Sequence, residues 1–322
     1  MDRTYLFQST GCKVAVFVIG TILLGAALAP PLYHGGKTVV EAGWIENVPV
    51  LDSIHGSMER AKFSRYFNRA ILAGALIMLF PTLKWLGTGD GDKKTLRERL
   101  QVRKNPAWVR HFLIGFFLAA IPLLILGWIY LQKGWYQPRD TDKAIISVLF
   151  SALFTGIVVA LLEEFVFRGA LTSIFSSILK PWPLLISIAV FFALVHFLKP
   201  PPGADITDVT AFSGFQMLGL IFSQFGDLYF LAAEFAVLFA IGWVLGYTRL
   251  KTGSLWLGIG LHAGWVFGVK TLGPLTSRTF APAEMMPWLG GNLRVGLVSC
   301  LVVCLTGLIV WAWLRRDSET VA

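Results

Sequence analysis

Leu161-Leu162-Glu163-Glu164-Phe165-Val166-Phe167-Arg168-Gly169 is the stretch on which the fold turns. It lies inside a long apolar run, residues 144–179, whose only charged residues are Glu163, Glu164 and Arg168. At a rise of about 1.5 Å per residue the run is too long for one simple crossing of a bilayer. The spacing therefore predicts a span with a kinked or interfacial extension. Lys180-Pro181-Trp182-Pro183 stops it, because proline cannot continue the helical hydrogen-bond ladder.

The rest of the chain is similarly apolar. Of 322 residues, 55% are hydrophobic and 15% charged, and the mean hydropathy is +0.66. Soluble domains carry about 25% charged residues, so a soluble globular protein is excluded. The 25 Phe and 12 Trp exclude disorder. Apolar residues come in blocks without alternation, which argues against a transmembrane β-barrel. Further runs cover residues 14–33, 70–86, 112–131, 184–198, 229–247, 254–272 and 295–314. The expected fold class is all-α, a polytopic transmembrane helical bundle of about eight spans. A signal peptide competes for the first run, since Ala27-Leu28-Ala29 resembles a cleavage site. Pro30 after the cut and a long polar lead-in favour a retained span.

Net charge is +9. In an apolar chain this points to cytoplasmic loops facing anionic lipid headgroups. Between residues 90 and 110 stand Lys93, Lys94, Arg97, Arg99, Arg103, Lys104 and Arg110. Placing that loop in the cytoplasm puts Arg249, Lys251 and Arg315-Arg316 on the same side, with both termini. Asp205, Asp208 and Asp227 then fall outside against Lys199, whereas Arg60, Lys62, Arg65 and Arg69 run against the bias. An inner or plasma membrane is the expected location. Cys12, Cys300 and Cys304 form no CxxC or Cys/His cluster and read as packed thiols. The expected organisation is an N-terminal transmembrane region of about three spans with a basic loop, residues 1–143, a core that carries the charged groups of the apolar runs, residues 144–270, and a C-terminal loop and last span, residues 271–322.

The chemistry sits within the apolar runs. Ionisable groups there cost several kcal/mol and are seldom accidental. On a helix Glu164 and Arg168 are four apart and stack on one face, so the guanidinium can neutralise that carboxylate. Glu163 points roughly 100° away and lacks that partner. A carboxylate in a low-dielectric site is a plausible general base for water. The plainer alternative is a buried Glu–Arg pair that pins two helices. His196 ends the fifth run, and a lone histidine there is usually structural. His262 lies midway along the seventh run, beside the small-residue stripe Gly260, Gly264 and Gly268. Its alternative is an interhelical hydrogen bond. A Glu pair, an Arg and two His on three runs form a set suited to hydrolysis within a membrane. Glu163, His196 and His262 would also suit a divalent metal such as Zn. No HExxH, GxSxG, Walker A or GxGxxG is present. Glu234 either lines the same cavity or pairs with an unidentified cation. Lys251 and Lys270 read as snorkelling side chains, and Gly242 and Gly246 as helix-packing positions.

These residues resemble the CPBP family of intramembrane proteases, which includes the type II CAAX prenyl endopeptidases and bacteriocin-processing or immunity proteins. The family's EExxxR motif is matched by Glu163-Glu164-Phe165-Val166-Phe167-Arg168, followed by Gly169. Its FxxxH motif is matched by Phe192-Ala193-Leu194-Val195-His196. Its third motif, a histidine followed four residues later by Asn or Asp, is anchored at His262. The resemblance covers residues 144–269. It implies that Glu163 activates water with assistance from His196, and that His262 helps bind the oxyanion. Glu164, Arg168 and Phe192 would support the site. It implies a membrane-anchored peptide or lipid-modified protein as partner, membrane lipids around it, and no nucleic acid. It leaves metal dependence open. Val266 stands where the family has Asn or Asp, and loss of one oxyanion donor typically costs about 10²–10³ in rate. Two other classes stay in view: a non-catalytic relative serving as scaffold or immunity protein, and a proton-coupled transporter using Glu163, Glu164 and Glu234. In an eight-span arrangement Glu163 and His196 end at opposite surfaces. A span shifted later, or a broken helix, would bring Glu163 deeper.

Overall fold

The computed structural model describes residues 10–44, 58–87, 100, 102–141, 144–176, 178–201, 203–223 and 228–319. The loop residues Lys93, Lys94, Arg97 and Arg99, and Asp227, lie outside them. The chain divides into two compact units, residues 1–93 with 195–226, and residues 94–194 with 227–322.

In the first unit Thr10–Glu41 (α1) lies along Phe63–Gly87 (α2). The contact is close because small residues meet: a Cβ on Gly74 would stand 2.9 Å from the Thr21 carbonyl oxygen. Ala26, Ala29, Phe63, Phe67, Ala70, Met217, Leu218 and Ile221 form its buried core. Asp205 caps α2 from a later loop, accepting from Phe63 N–H at 3.2 Å, with Lys62 Nζ 3.5 Å from its other oxygen.

The second unit is built around Trp256–Leu275 (α9, numbered after the elements that precede it in the chain). Before it come Trp108–Gln132 (α3), Ile145–Glu164 (α4), Thr172–Ser176 (α5), Pro181–His196 (α6), Ser213–Ser223 (α7) and Leu228–Thr252 (α8). Of these, α7 belongs to the first unit, as do the last two residues of α6. Pro282–Met285 (α10) and Leu297–Glu319 (α11) close the chain. Two short strands, Tyr136–Pro138 (β1) and Thr276–Arg278 (β2), pair antiparallel with Tyr136 opposite Arg278. Helix α9 packs against α3 and α4 backbone to backbone. A Cβ on Gly115 of α3 would lie 2.6 Å from the Leu257 carbonyl oxygen, and one on Gly156 of α4 2.8 Å from that of Ala263.

All eight apolar runs are helical, but the expected eight spans are corrected. Among the described residues five helices are long and apolar enough to cross a membrane: Gly11–Glu41, Trp108–Gln132, Ile145–Ser176, Leu231–Thr252 and Leu297–Arg316. The remaining runs fall short for physical reasons. Helix α6 has 16 residues, about 24 Å against a hydrocarbon core of about 30 Å. Helix α9 is diluted by Gly258, Gly260, Gly264, Gly268, His262 and Lys270, and most of its length is buried inside the protein. The apolar stretch of α2, residues 70–86, is only 17 residues long and includes Lys84. The result is a helical membrane bundle.

The break expected within the long run is a π-helix. After α4 the chain continues through Phe165–Leu171 in π-helical form and then α5, one helical segment of 32 residues. Glu163 and Glu164 are its last α-helical residues before the register changes. Such wide turns recur at functional sites, because they re-aim side chains.

Candidate active site

The π-helix gives the polar residues their directions. Glu164 and Arg168 still meet, with Arg168 Nη1 donating to Glu164 Oε1 at 3.1 Å. Both side chains are buried, at 1% and 0% exposure. Arg168 Nη2 donates to the Gly242 carbonyl of α8 at 3.1 Å. Its guanidinium lies 4.5 Å from the ring centre of Phe192 on α6, within cation–π range. Phe192 also stands edge-on to Phe167 and to the His262 ring. Its place in the second motif thus corresponds to a packing role over the ion pair.

His262 is set between the two carboxylates. Nδ1 donates to Glu164 Oε1 at 3.0 Å. Nε2 faces Glu163 Oε2 at 3.7 Å. The hydrogen bond to Glu164 fixes which nitrogen carries a proton toward the buried side. The side chain of Glu163 is 20% exposed, the most open of these groups. The adjacent glutamates therefore divide as their helical angles predict, one enclosed with Arg168 and one left accessible. Glu163, expected to lack Arg168 as a partner, stands across from the same imidazole that Glu164 holds.

Glu163, Glu164, Arg168, Phe192 and His262 are brought together in the second unit. His196 ends α6 and falls in the first unit. Val266 is half-buried one turn beyond His262 and has no side-chain donor. Trp265 is turned into the apolar core of Leu245, Leu257, Leu261 and Val303. Glu234 has its cation: Arg294 Nη2 donates to Glu234 Oε1 at 2.7 Å. Lys251 is exposed, with its ammonium 6.0 Å from the Tyr247 ring centre. Gly242 packs closely on Ala189 and also supplies the carbonyl that holds Arg168.

Two contributors escaped the sequence reading. Gly258 leaves room for the site: a Cβ there would meet Glu164 Oε2 at 3.2 Å and Thr248 Oγ1 at 3.3 Å. Arg249 is buried, donating from Nε to the Arg168 carbonyl and from Nη2 to the Leu100 carbonyl, both at 3.0 Å. A basic residue near a helix end reads as an interfacial anchor, and its carbonyl acceptors have no residue-type signature.

The donor set does not fit a metal. Glu164 Oε1 is shared by Arg168 and His262 Nδ1, which leaves Glu163, Glu164 Oε2 and one imidazole nitrogen, and these come from only three side chains, two of them adjacent in the chain. Among the described residues no three His, Cys, Asp or Glu side chains are grouped to hold an ion. Zinc sites need at least three such ligands.

Residues 145–268 match the family described as Type II CAAX prenyl endopeptidase Rce1-like. The match coincides with the stretch that carries the three motifs. No curated protein and no solved structure matches the chain.

Proposed function

We propose, from the family match over residues 145–268 and the geometry within it, that the protein is an intramembrane endopeptidase in which Glu163 activates the attacking water. The match supports a protease role in general. The observation that carries the mechanism is the 3.7 Å separation of Glu163 Oε2 and His262 Nε2. That is too long for a direct hydrogen bond, and it sets the proposed base beside the imidazole.

In this reading Glu163 takes a proton from the water as its oxygen attacks the scissile carbonyl carbon. The carbonyl oxygen becomes an oxyanion. As the C–N bond breaks, the proton held by Glu163 passes to the leaving amine. His262, in its doubly protonated form, donates from Nδ1 to Glu164 and from Nε2 to the oxyanion. In that form the charges of Glu163 and Glu164 cancel those of Arg168 and His262. Burial strengthens each of these interactions relative to water. His196 assists the base only as the family resemblance implies.

The proposed substrate is a membrane-anchored peptide or lipid-modified protein, a prenylated CAAX tail being one option. The proposed setting is a cell inner or plasma membrane with both termini cytoplasmic. Val266 favours a second reading, a non-catalytic relative acting as a scaffold.

The test is cleavage of a library of quenched, membrane-anchored peptides in liposomes, by wild type and Glu163→Ala, with and without chelator. Cleavage lost in the variant and kept with chelator is the expected result. Cleavage lost with chelator would move Glu163, His196 and His262 to metal ligands. Cleavage by neither protein would favour the scaffold.

A further inference from the structure

We infer that Arg249 is a positioning residue for the Glu164–His262 pair, acting through the main chain of the π-helix. The inference rests on the peptidase reading for its kinetic consequence and on geometry for its structural one. Helix α8 grips Arg168 twice. The Gly242 carbonyl receives the guanidinium Nη2, and Arg249 Nε donates to the Arg168 carbonyl. Gly242 and Arg249 are seven residues apart, two turns on one face of the same helix. One residue of the π-helix is thus fixed at its side-chain tip and at its peptide.

That fixation bears on the chemistry. A π-helix widens the turn and weakens the regular carbonyl ladder, so an outside donor helps to hold its register. The Arg168 side chain can reach Glu164 Oε1 only while its own backbone keeps that register. Glu164 Oε1 in turn sets His262 Nδ1, and hence where Nε2 faces Glu163. The second arm of Arg249 donates to the carbonyl of Leu100, whose side chain lies 3.8 Å from where a Gly169 Cβ would stand. The connection leading into α3 is therefore tied to the same guanidinium. Arg103 N–H reinforces the tie by donating to the Gly253 carbonyl at 3.0 Å.

The experiment compares Arg249→Lys, Arg249→Gln and the exposed neighbour Lys251→Gln in the full chain. Two quantities are read: kcat and KM on one anchored peptide, and the Nδ1-bound proton of His262 by nitrogen-15 NMR, assigned by its loss in His262→Gln. Lysine keeps the charge but lacks the fork that spans two carbonyls. Both Arg249 variants are expected to lower kcat about 10²-fold, the scale of a 1 Å misplacement, with KM unchanged and the Nδ1 proton signal shifted or lost. Lys251→Gln is expected to match wild type in both. A folded Arg249→Lys with wild-type kcat and an unchanged signal overturns the inference. So does failure of both Arg249 variants to fold, which would make the residue purely structural. If Glu163→Ala retains cleavage, the role of Glu163 as base falls; if wild type cleaves nothing, the peptidase reading falls, and in either case the NMR comparison still judges Arg249.

Discussion

Glu164 and Glu234 are both buried glutamates of the second unit, and each is met by an arginine. Glu164 pairs with a residue one turn away, and both partners are sealed from solvent. Glu234 pairs across 60 positions with Arg294, whose side chain is 37% exposed. The second pair is closed: one carboxylate, one guanidinium, and an open side through which water screens the charge. The first continues. Its carboxylate also holds an imidazole, and the imidazole faces another carboxylate that is partly accessible. A pair that only fastens two elements ends with its partner, whereas this one leads on through an imidazole to a second carboxyl group.

Breaking the sealed pair has the largest expected effect. Arg168→Met leaves Glu164 buried with only His262, and removing one partner of a buried ion pair costs about 3–5 kcal/mol. Denaturation in detergent should register that loss, together with loss of cleavage. A variant of wild-type stability would mean that Glu164 is held by other means. Val266→Asn sharpens the comparison in the opposite direction. It supplies the absent donor one turn from His262, and kcat should rise by about 10². No gain would indicate that the oxyanion is already served from elsewhere.

Smaller effects follow from packing. Gly258→Ala pushes a methyl group toward Glu164 Oε2, which must move by a few tenths of an ångström. A loss of about tenfold in kcat with little change in thermal stability is expected. An unchanged kcat would show that Glu164 tolerates displacement. The smallest effect belongs to the open pair. Glu234→Gln should cost less than about 1 kcal/mol, because Arg294 can turn to solvent, and cleavage should stay at the wild-type rate. A large loss of cleavage would bring Glu234 into the machinery.

The contrast also explains what the sequence could reveal. Glu164 and Arg168 were legible because their spacing is helical and both lie in an apolar run. His262 was legible through its motif and its midspan position. Arg294 was not visible as the partner of Glu234, since nothing local links residues so distant in the chain. The π-helix escaped because a change of hydrogen-bond register carries no residue-type signal; only the excess length of the run hinted at an irregularity. The count of spans erred where apolar runs were taken as spans without enough length or hydropathy. Helix α6 is apolar but short, and α9 is long enough but diluted by its glycines, His262 and Lys270. Gly258 escaped because a glycine in a glycine-rich helix reads as packing, and its proximity to a carboxylate is a three-dimensional fact.

The close backbone seam of α9 has a mechanical meaning. With Leu257 and Ala263 carbonyls lying against Gly115 and Gly156, a rotation or a slide of this helix would drive main-chain atoms into one another. His262 is thereby mounted on a helix whose backbone is closely held on two sides. The proposed hydrolysis would then be a traffic of protons, water and peptide past a helix held by its own backbone contacts.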